Sequence, residues 1–173
     1  TFLINNAAFT KYIAPQDYKK LTDLIYKKIF YVNLTVPYKL AIKLEKKLLK
    51  SKKIINFDPH IINIASVAGI TGLGSNTAYS ASKGALITLT KTLARSMAPI
   101  RVNSISPGLI KTQFVKFPNS YYRDMAKKTP VKRIGQPDDV AQTVKFLIKN
   151  KYITGENIVL DGGRGLNWTK LVL

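Results

Sequence analysis

Short apolar runs alternate with longer amphipathic stretches along the whole chain, and this alternation constrains the fold more than any other feature. Phe2-Leu3-Ile4 has the character of a strand and ends in a turn at Asn5-Asn6. From Gln16 to Lys53 the pattern becomes helical, with Leu21, Leu24, Ile25, Ile29 and Val32 recurring three and four residues apart. Pro37 marks a boundary or kink there, and Tyr38 to Leu49 continues as a second helical piece. Ser51 to Pro59 reads as a loop, and Ile61 to Ala65 as a buried strand. Gly69, Gly72 and Gly74, with Ser75 and Asn76, predict a flexible loop before a long helix over Thr77 to Met97. Arg101 to Ile105 is the next strand, closed by Pro107-Gly108. Phe114 to Ile134 is aromatic and basic without clean periodicity. Asp138 to Lys149 is a helix, preceded by Pro137 and opened by two acids. Asn157 to Leu160 is a last strand before Asp161-Gly162-Gly163. Strands separated by helices must pair in parallel, so the expected fold is α/β: a three-layer, doubly wound parallel sheet with helices on both faces.

Composition narrows the function. At 46% hydrophobic residues the chain is not of the disordered type. It contains no cysteine, which excludes disulfides and thiolate metal sites and fits a reducing, cytoplasmic setting. No apolar run reaches the roughly 18 residues of a membrane span, and the N-terminus has no basic flank of a signal peptide. His60, the single histidine, stands beside Asp58 and Pro59 and reads as a solvated turn residue, so no metal site is expected. The formal charge of +19 raises the question of a nucleic-acid partner. Lysines such as Lys19, Lys20, Lys27, Lys28, Lys43, Lys46 and Lys47 are scattered as on solvated helix faces, however, and no stacking aromatics are interleaved with them on a recognisable module. Neither nucleic acid nor membrane is therefore expected as a partner, although phosphate-bearing ligands would be drawn to the charge.

Tyr79 and Lys83 lie four apart in the predicted helix, on one face. An ammonium one turn from a phenol favours the phenolate and makes a general acid/base of a group that ordinarily titrates at about 10. With so many Tyr and Lys residues, one such pair is expected by chance. Ser66, just past the Ile61–Ala65 strand, stands where an α/β sheet presents ligand-facing groups. A hydroxyl there can hold a carbonyl oxygen, or simply cap a turn. Asn33 lies in a helical stretch, where a buried amide must find partners.

In chain order, the motifs are Asn5-Asn6-Ala7-Ala8, Asn33, Ser66, Tyr79-Ser80-Ala81-Ser82-Lys83, Pro107-Gly108 with Thr112, Ile153-Thr154-Gly155 and Asp161-Gly162-Gly163. Each is weak alone, but the ordered set from Thr1 to about Leu166 resembles the short-chain dehydrogenase/reductase family, classical type. The resemblance implies a Rossmann-like sheet and an NAD(P)-dependent oxidoreductase that interconverts a carbonyl and an alcohol, with NADPH favoured over NADH. It implies Tyr79 as general acid/base and Lys83 lowering its pKa while holding the nicotinamide ribose. It implies Ser66 orienting the substrate oxygen and Asn33 supporting a relay water. Asn6 and Ala7 would approach the adenosine ribose; Pro107, Gly108, Ile110 and Thr112 would contact the nicotinamide side.

Two departures stand out. The turn after the first strand has Ala8 where the family has Gly, a substitution found in some pteridine-reductase-like members. The family's opening strand, glycine-rich turn and helix do not precede Asn5, and Gly69 to Gly74 cannot replace them because they lie between Ser66 and Tyr79. The expectation is that residues 1–173 are the C-terminal catalytic part of a single Rossmann domain without its N-terminal strands, and that the strand at Phe2–Ile4 is an open edge.

Phe114, Phe117, Tyr121 and Tyr122 are candidates for an apolar lid over the substrate, or for ordinary core anchors. Basic neighbours such as Lys116 and Arg123 suit an acidic or carrier-protein-bound substrate. The nearest resemblance is to β-ketoacyl carrier-protein reductases, then to pteridine reductases. A homotetramer or dimer through the Tyr18–Leu49 and Thr77–Met97 helices and the last strand is what the family implies. Two other readings compete: a non-catalytic remnant acting as an interaction protein, and a basic nucleic-acid-binding domain. Asn33-Leu34-Thr35 and Asn167-Trp168-Thr169 match glycosylation acceptors, expected to be chance matches without a secretory signal.

Overall fold

The computed structural model describes residues 2–55 and 58–166; the Asn167-Trp168-Thr169 match lies outside them. Strands β1 (Phe2–Asn5), β2 (His60–Ile64), β3 (Arg101–Pro107) and β4 (Asn157–Leu160) form one sheet in the order β1-β2-β3-β4, with every pair parallel. The helices are α1 (Asp23–Phe30), α2 (Val36–Ile55), α3 (Ala68–Thr71), α4 (Thr77–Ser96), α5 (Asn119–Lys127) and α6 (Pro137–Lys149). A 3-10 turn spans Pro15–Lys20, and a π-helical turn over Tyr31–Thr35 joins α1 to α2.

Alternation along the strands sends successive side chains to opposite faces. Ile61 and Val102 pack with Ala41 and Leu48 of α2 and Leu93 of α4 on one face. Ile62 and Ile105 pack with Leu147 of α6 on the other. The sheet is thus covered on both sides, as a doubly wound α/β architecture requires. β1 forms one edge, with Phe2 and Ile4 exposed. Among the described residues, no helix is long and apolar enough to cross a membrane.

Several local readings needed correction. Residues 51–55 continue α2 and do not form a loop. The glycine-rich segment contains α3, ended by Gly72 at φ +76°, a left-handed conformation that glycine takes without penalty. Residues 114–134 contain α5. Pro37 marks the expected boundary: it is the second residue of α2, which begins at Val36 where the π-helical turn Tyr31–Thr35 ends, and the helical run continues through it. Its missing N–H cannot serve the Asn33 carbonyl four residues back, and the preceding turn widens to π form, where the Val36 N–H bonds the Tyr31 carbonyl. Ala8 has no positive φ, so the turn after β1 accommodates it without strain.

His60 is the largest correction. It opens β2 and is 1% exposed, beside Asn103 of β3, whose Nδ2 lies 2.9 Å from His60 Nε2. Asn103 also donates to the Ile153 carbonyl and accepts the Glu156 N–H. Burial, and secondarily the Arg101 guanidinium, push the His60 pKa down to about 3. The folded chain therefore holds His60 neutral, whereas the unfolded chain protonates it below about 6.5. The folded pKa is the depressed one, so this contribution is complete above pH 6.5 and is lost as pH falls toward 3. Denaturant unfolding of the unaltered protein should weaken across that window by up to about 1.4 kcal/mol per pH unit more than that of His60→Gln. Parallel pH profiles for the two proteins would contradict the assignment.

Candidate active site

β2 ends at Ile64, and Ser66 follows two residues later, at the carboxyl end of the sheet. Ser66 Oγ accepts the Ala68 N–H at 3.1 Å, which fixes the hydroxyl at the mouth of the short α3. α3 in turn lies hard against α4. A Cβ on Gly69 would fall 2.5 Å from the Gly84 nitrogen and 2.5 Å from the Lys83 carbonyl carbon. Only glycine permits that approach, and it brings Lys83 close to the strand end.

Lys83 is 2% exposed, and its Nζ donates to the Ile64 carbonyl at 2.7 Å. Burial lowers its pKa to about 8. Tyr79, one turn earlier, is half-buried and lies near enough to Ser66 for that hydroxyl to act on its pKa. Ser66, Tyr79 and Lys83 are thus gathered where sequence reading placed them. The expected acidification of the phenol is absent: burial raises the Tyr79 pKa, and the Ser66 hydroxyl only opposes that rise. The physical reason is that the Lys83 ammonium is itself weakened by burial and directed at Ile64, 5.8 Å from the Tyr79 ring centroid.

Asn33 stands in the π-helical turn and is 1% exposed. Its Oδ1 accepts the Phe9 N–H at 2.8 Å, and its Nδ2 donates to the Phe9 carbonyl and, at 3.1 Å, to Ser82 Oγ. Ser82 Oγ donates to the Tyr79 carbonyl. So Asn33 joins the site through α4. A second polar chain anchors the same helix deeper down. Asn5 Nδ2 donates to Asn63 Oδ1, Asn63 Nδ2 to Thr90 Oγ1, and Thr90 Oγ1 to the Leu86 carbonyl.

The expected cofactor-side residues occupy the carboxyl ends of the strands. Asn6 and Ala7 are exposed just beyond β1. Pro107 closes β3, and the Gly108 N–H bonds the Leu160 carbonyl. Ile110 pairs with Gly135, and exposed Thr112 accepts the Phe114 N–H. The aromatic candidates divide. Phe114 faces Tyr79, with centroids 6.3 Å apart, whereas Phe117, Tyr121 and Tyr122 form a cluster of their own around buried Tyr122. One cleft of about 120 Å³, lined by Ile110, Gly135, Asp161 and Arg164, lies apart from Tyr79; another of about 70 Å³ adjoins the start of α4. Among the described residues there is no cluster of metal-ligating side chains.

With this geometry in hand, comparison with known proteins places the chain. Residues 1–164 match the family described as enoyl-(acyl carrier protein) reductase. The chain is similar to a 3-oxoacyl-[acyl-carrier-protein] reductase of Thermotoga maritima, 33% identical over 172 residues, covering 93% of this chain and 64% of that protein. It superimposes on 4-hydroxyisoleucine dehydrogenase complexed with NADH at a TM-score of 0.80 and 37% identity, covering 95% of this chain and 68% of the other. It also superimposes on a short-chain dehydrogenase/reductase (glucose/ribitol dehydrogenase) from Brucella melitensis, with a TM-score of 0.81 and 30% identity, covering 94% and 64%. This chain belongs to the short-chain dehydrogenase/reductase family, with resemblance to the ketoacyl reductases within it. It spans just under two thirds of the length of the Thermotoga relative.

Sequence reading missed Asn76 and Ser82. In the sequence Asn76 reads as part of a flexible loop, although an Asn just before a helical pattern is a recognisable N-cap, the place it holds at α4. Ser82 carries no such signal, because its role depends on Asn33, far away in the chain.

The burial of Lys83 can be checked directly. In spectra of lysine-labelled protein, one side chain should titrate near pH 8, and Lys83→Met should remove that signal. The absence of any lysine signal titrating near pH 8, or its persistence in Lys83→Met, would contradict the burial described.

Proposed function

We propose that residues 1–173 form the catalytic part of an NAD(P)-dependent oxidoreductase that reduces a carbonyl, with a 3-oxoacyl group on a carrier protein as the favoured substrate class. The observation that carries this reading is the grouping at the start of α4: a half-buried Tyr79 phenol near Ser66, one turn from a buried Lys83 ammonium. The substrate class is supported by relatives named as 3-oxoacyl-[acyl-carrier-protein] reductases and by the basic residues around α5.

The residues present fit a nicotinamide dinucleotide. Asn6, Ala7 and Thr112 are exposed at the carboxyl edge of the sheet, where such ligands bind in open α/β folds. Asn6 and Ala7 would hold the adenosine side, Pro107, Gly108, Ile110 and Thr112 the nicotinamide side, and Lys83 the ribose next to it. When bound, the cofactor supplies a hydride to the carbonyl carbon. NADPH is favoured because its additional phosphate suits a chain of net charge +19.

The chain's own contribution is protonic. Ser66, its Oγ already accepting the Ala68 N–H, keeps its O–H to donate to the substrate oxygen. Tyr79, with its pKa raised by burial, remains a protonated acid at neutral pH and delivers its proton to that oxygen. Lys83 stabilises the phenolate that forms and, through water near the Asn33 carbonyl, restores the proton. The Asn33 carbonyl suits this task because Pro37 offers it no N–H. A homotetramer or dimer in the cytoplasm completes the proposal, supported by exposed Leu24, Tyr31, Tyr38 and Ile42 along the α1–α2 run and by exposed Val159 on β4.

Tyr79→Phe tests the reading. It keeps the ring and removes the proton donor, so NADPH oxidation with a 3-oxoacyl substrate should fall by about 10²–10⁴-fold while the unfolding midpoint stays close to that of the unaltered protein. Full activity in Tyr79→Phe would overturn the role assigned to the phenol.

A further inference from the structure

A polar strap ties residues 9–13 to the helix that carries Tyr79, and Asn76 is its hub. Asn76 is the N-cap of α4 and is 8% exposed. Its Oδ1 accepts the Tyr79 backbone N–H at 2.8 Å. Its Nδ2 donates to the Lys11 carbonyl at 2.7 Å and to Thr10 Oγ1 at 3.2 Å. Ser75 extends the strap: its hydroxyl bonds that of Thr10, and its carbonyl accepts the Ile13 N–H at 2.9 Å. The start of the segment is held at Phe9 by Asn33, which also bonds Ser82. Residues 9–13 are therefore fastened to α4 both before Tyr79, through Asn76, and after it, through Ser82. Beside the strap, Ile13, Tyr18, Leu21, Gly72 and Thr77 line the cleft of about 70 Å³.

A helix cap needs only an acceptor, and Asp, Ser or Thr would provide one. The two amide hydrogens of Asn76 are needed only for the strap. One side chain therefore fixes the first turn of α4, where the Tyr79 N–H is, and the segment whose last residue, Ile13, lines the neighbouring cleft. Resting on the role proposed above for Tyr79, we infer that Asn76 is a positioning residue, which holds residues 10–13, and with Ile13 one wall of that cleft, in register with Tyr79 and so shapes the substrate side of the site. It touches neither the reacting atoms nor the cofactor-side residues.

The two functions separate by substitution. Asn76→Asp keeps the acceptor for the Tyr79 N–H and replaces the donor with a carboxylate facing the Lys11 carbonyl. Asn76→Ala removes both. With NADPH and a 3-oxoacyl substrate, Asn76→Asp should raise KM for the carbonyl substrate by about tenfold and leave KM for NADPH in place; Asn76→Ala should in addition lower kcat by about tenfold more than Asn76→Asp does. Amide exchange over residues 10–13 should quicken in both variants. If the carbonyl KM of Asn76→Asp matches that of the unaltered protein, or if both KM values rise together, the inference is overturned. Faster exchange with unchanged kinetics overturns it as well, reducing Asn76 to a structural cap. An unaltered protein without nicotinamide-dependent turnover overturns the functional reading itself, a result distinct from any of these.

Discussion

A buried ammonium must have an acceptor, and Lys83 takes the carbonyl of Ile64 where β2 ends. The rest of the site depends on that contact. It requires α4 to pass close to the strand end, which the glycine contact between α3 and α4 allows and a methyl group at Gly69 would block. It fixes Tyr79 one turn toward the start of α4, beside Ser66, which the same strand delivers. The polar chain from Asn5 through Asn63 to Thr90 then fastens the helix along its length. A chemical site in this protein is a matter of how a helix is tied to a sheet, and the ties are polar groups buried and paired.

Burial also sets the chemistry. Partial burial of the phenol and full burial of the amine push each toward its uncharged form: Tyr79 upward, Lys83 down to about 8. The pair therefore holds protons on the phenol at neutral pH, the state suited to delivering one to a developing alkoxide. The π-helical turn at Tyr31–Thr35 belongs to the same design. It turns the Asn33 amide toward Phe9 and Ser82, while Pro37 withdraws the N–H that the Asn33 carbonyl would otherwise receive.

The alternation of strands and helices was legible because it is written in local apolar periodicity, and the Tyr79–Lys83 pair because four residues make one helical turn. What was not legible depended on distant partners. His60 looked like a turn residue beside Asp58-Pro59, and only Asn103 on the next strand makes it a core residue. Gly69 looked like loop flexibility, and only Gly84 shows it to be a packing contact. β3 carries Asn103, Ser104 and Ser106, all buried, a composition that reads as a solvated strand until Asn157 and the Glu156 N–H are placed against it. The pKa direction of Tyr79 was misread because spacing shows that an ammonium is near but not where it points.

In the proposed reaction, this site directs hydride to a carbonyl carbon while Tyr79 protonates the oxygen. The most direct measurement is isotope transfer: the purified protein is incubated with a 3-oxoacyl thioester and NADPH deuterated on one or the other face of nicotinamide C4, and the product is examined by mass spectrometry. Deuterium is expected at the new carbinol carbon from one labelled face only, with product of a single configuration. Product without deuterium from either face, or no reduction with either NADPH or NADH, would contradict it.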